Sequence, residues 1–216
     1  MIVTVATLAA LRREEEAGEL RIWTAIGLGS WVLWGALYFG AAQLTHAPSA
    51  RTFQDAVLTA LPLVPAFTPI YLGVHVFSMV PYMAIGEVRQ LRRYLLGNLI
   101  ILLVSTIAWV ALPVRLDRLV IPELDGFGAW LLRLVYVGDP TTNCFPSAHC
   151  SCAVYAAIEL RFASTRLFIW GIVTATLICV STVMTKQHYL ADVFAGAVLA
   201  ALAALATTRF RGRARA

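Results

Sequence analysis

Apolar residues run through this chain in long blocks, with the polar residues gathered between them. Six blocks approach the ~20 residues that an α-helix needs to cross a bilayer: residues 22–44, 68–85, 94–114, 148–162, 167–184 and 189–207. The fourth is the shortest. In hydrocarbon every backbone amide needs an internal partner, so such blocks predict helices. The expected fold class is therefore all-α, a polytopic membrane protein built as a bundle of six transmembrane helices. Residues 1–11 are too short to span and lack a small-residue cleavage site, so a removed signal peptide is not expected. Followed by Arg12-Arg13-Glu14-Glu15-Glu16, they predict a cytoplasmic interfacial helix over residues 1–21. The membrane domain would then occupy 22–208, with a basic cytoplasmic tail at 209–216.

Two connections are long. Residues 45–67 hold a mildly amphipathic stretch (Phe53, Ala56, Val57, Ala60, Leu61) and then Pro62 and Pro65. Residues 115–145 carry the turn signals Asp117, Glu123, Asp125, Gly126, Gly128 and Asp139-Pro140. Between these, residues 130–137 are apolar enough for a short helix or a membrane-dipping segment.

Composition agrees with the membrane reading. Of 216 residues 60% are hydrophobic and 13% charged, whereas soluble domains carry about 25% charge. The net charge of +5 invites a nucleic-acid partner, but its distribution argues against one. With six spans and a cytoplasmic N-terminus, twelve basic residues fall inside and five outside (Arg51, Arg115, Arg118, Arg133, Lys186), following the positive-inside rule. The tail from Arg209 suits anionic headgroups, and only Phe210 supplies it with an aromatic. The expected localisation is a multi-pass cell-membrane protein with both termini cytoplasmic. Oligomeric state is left open, a homo-oligomer included. The spacing of Cys150 and Cys152 is too tight for a zinc knuckle, and Cys144 and Cys150 are the pair that could be bridged.

Chemistry concentrates in two motifs at helix mouths: Phe145-Pro146-Ser147-Ala148-His149 and Lys186-Gln187-His188-Tyr189-Leu190-Ala191-Asp192. In the six-span arrangement both open on the extracytoplasmic side. Pro146 and Ser147 read as a helix start, whose free amides favour phosphate. Asp192 lies four residues after His188, on the same helix face, and a carboxylate on one ring nitrogen fixes the tautomer and raises the basicity of the other. One imidazole can then attack phosphorus while the other protonates the leaving oxygen. No metal and no cofactor are expected, since no carboxylate cluster would hold a cation. His75 and His46 read as packing residues, Asp139 and Asn143 as loop-ordering residues, and Glu159 as a carboxylate snorkelling near Arg161.

These motifs resemble the type-2 phosphatidic acid phosphatase superfamily. Its second signature is Pro-Ser-Gly-His; here it reads Pro146-Ser147-Ala148-His149. Its third is Ser-Arg, five residues, His, three residues, Asp; here Ser181-Thr182 precedes His188 and Asp192 at that spacing. The resemblance implies His188 as nucleophile, Asp192 as its orienting partner, His149 as general acid and Ser147 as a phosphate ligand. The third signature's arginine is Thr182, and the first signature (Lys, six residues, Arg-Pro) is absent as such. Lys186, Arg115 and Arg118 are the candidate replacement cations, Lys186 against the alternative of snorkelling to headgroups. The runs Asp139-Pro140-Thr141-Thr142-Asn143-Cys144-Phe145-Pro146-Ser147 and Thr185-Lys186-Gln187-His188-Tyr189 are similar to the branch that includes inositol phosphorylceramide synthase. The implied activity is a lipid phosphatase working through a phosphohistidine, with a phosphorylated lipid as partner. The alternative is a headgroup phosphotransferase passing the group to a hydroxyl. A transporter that inherited the fold ranks last, because only His75 offers a polar group at mid-span.

Overall fold

A computed structural model of the chain describes residues 5–45, 49–118 and 125–210, with side chains from Glu14 to Thr208 inside those ranges. His46, Glu123 and residues 211–216 of the basic tail lie outside the described residues. Nine helices follow in order among the described residues: α1 (Val5–Leu44), α2 (Ala56–Ala60), α3 (Thr68–Phe77), α4 (Val80–Ala84), α5 (Val88–Ala111), α6 (Phe127–Gly138), α7 (Ala148–Glu159), α8 (Thr165–Met184) and α9 (Leu190–Ala206). No strand forms among the described residues; Val114 makes isolated bridges to Arg51 and Asn143.

Three helical stretches are long and apolar enough to cross a membrane: Glu14–Leu44, Val88–Ala111 and Thr165–Met184. The other three predicted spans are shorter or broken. The second is split into α3 and α4 around Ser78 and Met79. Pro81, in the first turn of α4, has no N–H to return to Phe77, so the helix cannot run on as one. The fourth is twelve residues of α7 plus one tight turn, and the sixth is the seventeen residues of α9. The segment expected as a separate interfacial helix is continuous with α1, which runs unbroken past residue 21. The apolar middle of the 115–145 connection does form a helix, α6.

The bundle is organised around α7. Ten of its twelve residues are buried, and most are Ala, Ser or Cys. Small side chains let α5, α8 and α9 approach closely, which is how helices pack where hydrocarbon gives no hydrophobic drive. Gly171 of α8 sits where a Cβ would lie 3.2 Å from the Ala157 backbone. Gly97 of α5 leaves room for the Tyr155 ring. The aromatic core of Tyr82, Tyr94, Trp109 and Tyr155 fills the space between α4, α5 and α7.

Glu159 does not snorkel. It is fully buried and pairs with the equally buried Arg93 at 3.0 Å, with Arg161 at 3.7 Å. Arg93 also donates to Thr207 Oγ1 and the Ala204 carbonyl, both at 3.2 Å. The pair ties α5, α7 and the end of α9 together. Ten residues separate Glu159 from His149, so this cluster lies about 15 Å along α7 from the histidine end. Glu159→Ala strands a buried guanidinium, and a loss of about 3–5 kcal/mol is expected from denaturation of the detergent-solubilised protein. The double variant Arg93→Met/Glu159→Leu should recover most of that loss.

Candidate active site

Three helix ends meet where the two sequence motifs fall. At the start of α7, the Ser147 hydroxyl oxygen accepts the Cys150 N–H at 3.3 Å and caps the first turn. The preceding Phe145–Pro146 peptide is cis, and the Pro146 carbonyl accepts from Trp109 Nε1 at 3.2 Å. At the end of α8, the Gln187 N–H reaches back to the Thr182 carbonyl (2.9 Å) and the Lys186 N–H to that of Val183 (3.1 Å). This Schellman closure needs a left-handed residue. Lys186 takes it at φ 57°, at a cost of about 1–2 kcal/mol that glycine would avoid. The turn directs His188 back over α7.

At the start of α9, Asp192 Oδ2 accepts the Tyr189 N–H at 2.9 Å. Asp55 Oδ2 accepts the Leu190 N–H at 2.8 Å, while its Oδ1 caps α2 through the Leu58 N–H. The Asp192 carbonyl accepts the Ser147 N–H at 3.1 Å, joining the two helix starts directly. Gly196, one turn later on α9, permits this approach: a Cβ there would lie 2.7 Å from the Ser147 carbonyl oxygen and 3.0 Å from Cys150 Cβ.

The two imidazoles converge. The ring centroids of His149 and His188 are 5.9 Å apart, and both residues are buried along with Asp192. His188 Nδ1 lies 3.4 Å from Asp192 Oδ2, leaving Nε2 as the nitrogen not facing that carboxylate. Burial pushes the His188 pKa down, but the hydrogen bond and charge of Asp192 outweigh it, so the net direction is upward. His149 stacks on Tyr71 with ring centroids 4.1 Å apart. Its Nε2 is buried with no hydrogen-bond partner among the described residues.

The predicted phosphate-binding cations are all engaged by the protein itself. Lys186 Nζ donates to the Leu58 carbonyl and, at 2.6 Å, to that of Leu61, closing the C-terminal end of α2. Arg118 donates to the Val135 and Tyr136 carbonyls and, at 2.6 Å, to that of Asp139, at the end of α6. It also reaches Gln187 Oε1 at 3.4 Å. Arg115 pairs with Asp117 at 2.8 Å. Thr182, in the place of the family's arginine, is buried and donates to the Cys179 carbonyl.

Five residues near His149 were not read from the sequence as part of the site: Tyr38, Tyr71, His75, Asp139 and Asn143. The Asp139 carboxylate accepts from Tyr38 (2.6 Å) and Tyr71 (2.7 Å). Asp139 thus orders more than its loop, linking α1, α3 and, through the Tyr71 stack, His149. The Asn143 amide donates to the Tyr38 carbonyl at 2.6 Å. His75 packs edge-on against His149, with ring centroids 5.8 Å apart. Lone tyrosines in apolar helices carry no signal in sequence, whereas His75 did, as an ionisable group at mid-span.

His75 and His149 line a groove of about 480 Å³. Trp31, Trp34 and Tyr38 of α1 form one wall, Val74 and His75 of α3 another, and Leu131 and Leu134 of α6 cover it. Phe39 and Leu134 are half exposed at its rim. The groove is apolar apart from the end bearing Asp139 and the histidines.

One grouping of candidate metal ligands occurs among the described residues. Ligand atoms of Cys144, His188 and Asp192 lie within 4.8 Å of one another. Within the grouping His188 Nδ1 and Asp192 Oδ2 are already paired at 3.4 Å. The Cys144 thiol donates instead to the Thr141 carbonyl at 3.2 Å. All four cysteines are free, so Cys144 and Cys150 are not bridged.

Residues 127–216 match the PAP2 superfamily. The matched segment is similar to that superfamily over less than half of the chain; it runs from α6 to residue 216 and so includes both histidine motifs. No curated protein and no solved structure matches the chain. The contact that brings the matched helices together is testable. Gly196→Ala should overpack the α7–α9 junction and cost about 1–3 kcal/mol in denaturation, whereas Gly29→Ala, with open space at its Cβ, should not.

Proposed function

We propose that the protein is an integral membrane enzyme that cleaves a lipid phosphate ester through a phosphohistidine on His188. The observation that carries this reading is the pairing of two buried imidazoles, 5.9 Å apart, one of them backed by a carboxylate. With Nδ1 turned to Asp192, His188 Nε2 attacks phosphorus. The bond from phosphorus to the lipid oxygen breaks, and His149 gives that oxygen its proton. Water then surrenders a proton to His149, attacks the phosphohistidine and frees His188 with inorganic phosphate. A spacing of ~3–3.5 Å between reacting atoms fits between the two rings. The first turn of α7, which carries His149, lies at the positive end of the helix dipole, a setting that suits phosphate oxygens. Ser147 contributes by holding that turn. For Lys186 or Arg118 to reach the phosphate, each would exchange its present carbonyl partners for phosphate oxygens.

The apolar groove beside His149 supports a lipid substrate, with the tail along α1 and α3 and the phosphate at the histidines. In this reading the chain crosses the membrane six times, α3–α4, α7 and α9 supplying the shorter crossings, with the site at the extracytoplasmic face. The Thr185-Lys186-Gln187-His188-Tyr189 run favours a second reading in which a lipid or polyol hydroxyl replaces water in the second step. Purified protein given a panel of lipid phosphates, with and without alcohol acceptors, separates the two by free phosphate against transferred product.

Two further outcomes test the roles. His188→Ala should remove turnover and the acid-labile phosphoenzyme together, with folding retained. His149→Ala should slow turnover about 10²–10⁴-fold, most for poor leaving groups; an equal loss across leaving groups would remove the general-acid role. The nucleophile must be neutral to attack, and its pKa is raised. Activity should therefore rise with pH along a limb lying above the ordinary histidine value near 6.5. Asp192→Asn should move that limb to lower pH while reducing the plateau, as a pH profile of kcat/KM would show.

A further inference from the structure

The two imidazoles of the site are oriented in different ways. A histidine is ordinarily fixed by a hydrogen bond at its second ring nitrogen, and Asp192 does this for His188. His149 has no such carboxylate, and its buried Nε2 has no hydrogen-bond partner among the described residues. Its closest ring contact is a face. Tyr71 lies flat on it, with centroids 4.1 Å apart and planes 19° apart, while His75 and His188 meet it at 70° and 56° from 5.8 and 5.9 Å. The plane of the Tyr71 ring therefore sets the plane of His149.

Tyr71 is tethered in turn. It is buried, and its hydroxyl donates to Asp139 Oδ2 at 2.7 Å; carboxylate acceptors make the shorter, stronger bonds. Asp139 is itself held by three elements. Its Oδ1 accepts the Tyr38 hydroxyl of α1 at 2.6 Å, its N–H donates to the Val135 carbonyl of α6 at 2.9 Å, and its carbonyl accepts from Arg118 at 2.6 Å. Swinging the Tyr71 ring away from His149 breaks its bond to this fixed post. We propose that Asp139 is a positioning residue for the general acid: through the Tyr71 hydroxyl it keeps that ring flat on His149 and so sets the direction in which His149 presents its proton to the leaving oxygen. This role rests on the reading of His149 as that acid. Tyr38 supplies a matched comparison. Its hydroxyl meets the same carboxylate at nearly the same distance, but its ring packs against Phe39 and Trp109 rather than His149.

The test gives the full-length protein in detergent two probes: phosphatidic acid, whose alkoxide leaving group needs a proton, and p-nitrophenyl phosphate, whose phenolate leaves unaided. Tyr71→Phe keeps the ring and removes the tether. Its kcat on phosphatidic acid should fall about 10–100-fold with KM nearly unchanged, and on p-nitrophenyl phosphate far less. Tyr38→Phe should lose much less than Tyr71→Phe. Asp139→Asn, whose amide can accept from one phenol and donate to the other, should retain most of the activity. Tyr71→Phe added to His149→Ala should cost nothing further. Equal losses in Tyr71→Phe and Tyr38→Phe, no rescue by Asp139→Asn, or a full additional loss in His149→Ala/Tyr71→Phe overturns the proposal. A Tyr71→Phe loss shared equally by both probes overturns it as well, provided that His149→Ala discriminates between them. If His149→Ala also loses equally on both, the acid reading itself has failed, and spectroscopy then decides whether Asp139 orients His149. In protein labelled at histidine Cε1, the stacked Tyr71 ring shields the His149 resonance. Tyr71→Phe should move that resonance toward the position of a free imidazole, and Tyr38→Phe should leave it in place. An unmoved His149 resonance in Tyr71→Phe overturns the proposal whatever the turnover.

Discussion

Asp192 holds the start of one helix against the start of another, and the candidate site exists because of that junction. Its carboxylate accepts the Tyr189 N–H that opens α9 and faces His188 Nδ1, while its own carbonyl accepts the Ser147 N–H that opens α7. One residue thereby satisfies backbone donors at two helix starts, where no intrahelical acceptor is available. It also fixes the face of the His188 ring that remains for chemistry. The carboxylate is fully buried, a position that is affordable only with such partners. Gly196 makes the junction sterically possible, and the left-handed turn at Lys186 aims the intervening segment.

The rest of the bundle places its buried ionisable clusters at the two ends of α7. At one end are the histidines; at the other, the Arg93–Glu159 pair crosslinks α5 and α7 and reaches the last turns of α9. Between them α7 is small and apolar, so neighbouring helices contact it closely along its length. Association of this kind relies on van der Waals fit and on a few buried polar ties rather than on exclusion of water. Both polar ties also act on α9, which fixes its tilt and its axial register relative to α7 at once.

The sequence made the helical class legible because long apolar blocks leave no other backbone solution in lipid. The start of α7 at Ala148 and the helix within residues 130–137 were readable from Pro146-Ser147 and from apolar content. The break at Ser78–Met79 was not, because hydropathy averages over a proline that alters hydrogen bonding and leaves hydrophobicity unchanged. His149, His188 and Asp192 stood out as a spacing. Their companions did not. Tyr38, Tyr71 and Asp139 come from three distant segments, and only tertiary packing gathers the two hydroxyls on one carboxylate. Glu159 was misread for a related reason: its nearest charge in sequence is Arg161, whereas its closer partner, Arg93, lies sixty-six residues away. The roles read for Lys186 and Arg118 rested on proximity in sequence; their positions at the carbonyl ends of α2 and α6 depend on loops whose course no local pattern encodes.

The groove beside His149 has one thinly anchored wall. Only a small part of the apolar stretch of α1 is buried, and Tyr38 secures it near the site through its hydroxyl on Asp139 and its carbonyl on Asn143. Hydrocarbon outside the protein is as apolar as the residues inside. If the substrate is a lipid, as proposed, a chain sliding sideways from the bilayer past Phe39 and Leu134 exchanges like for like, with little gain or loss of solvation. Tail chemistry alone then gives this wall little leverage for discrimination. Under that proposed reading, selection among lipids would fall to the few polar atoms at the head of the groove.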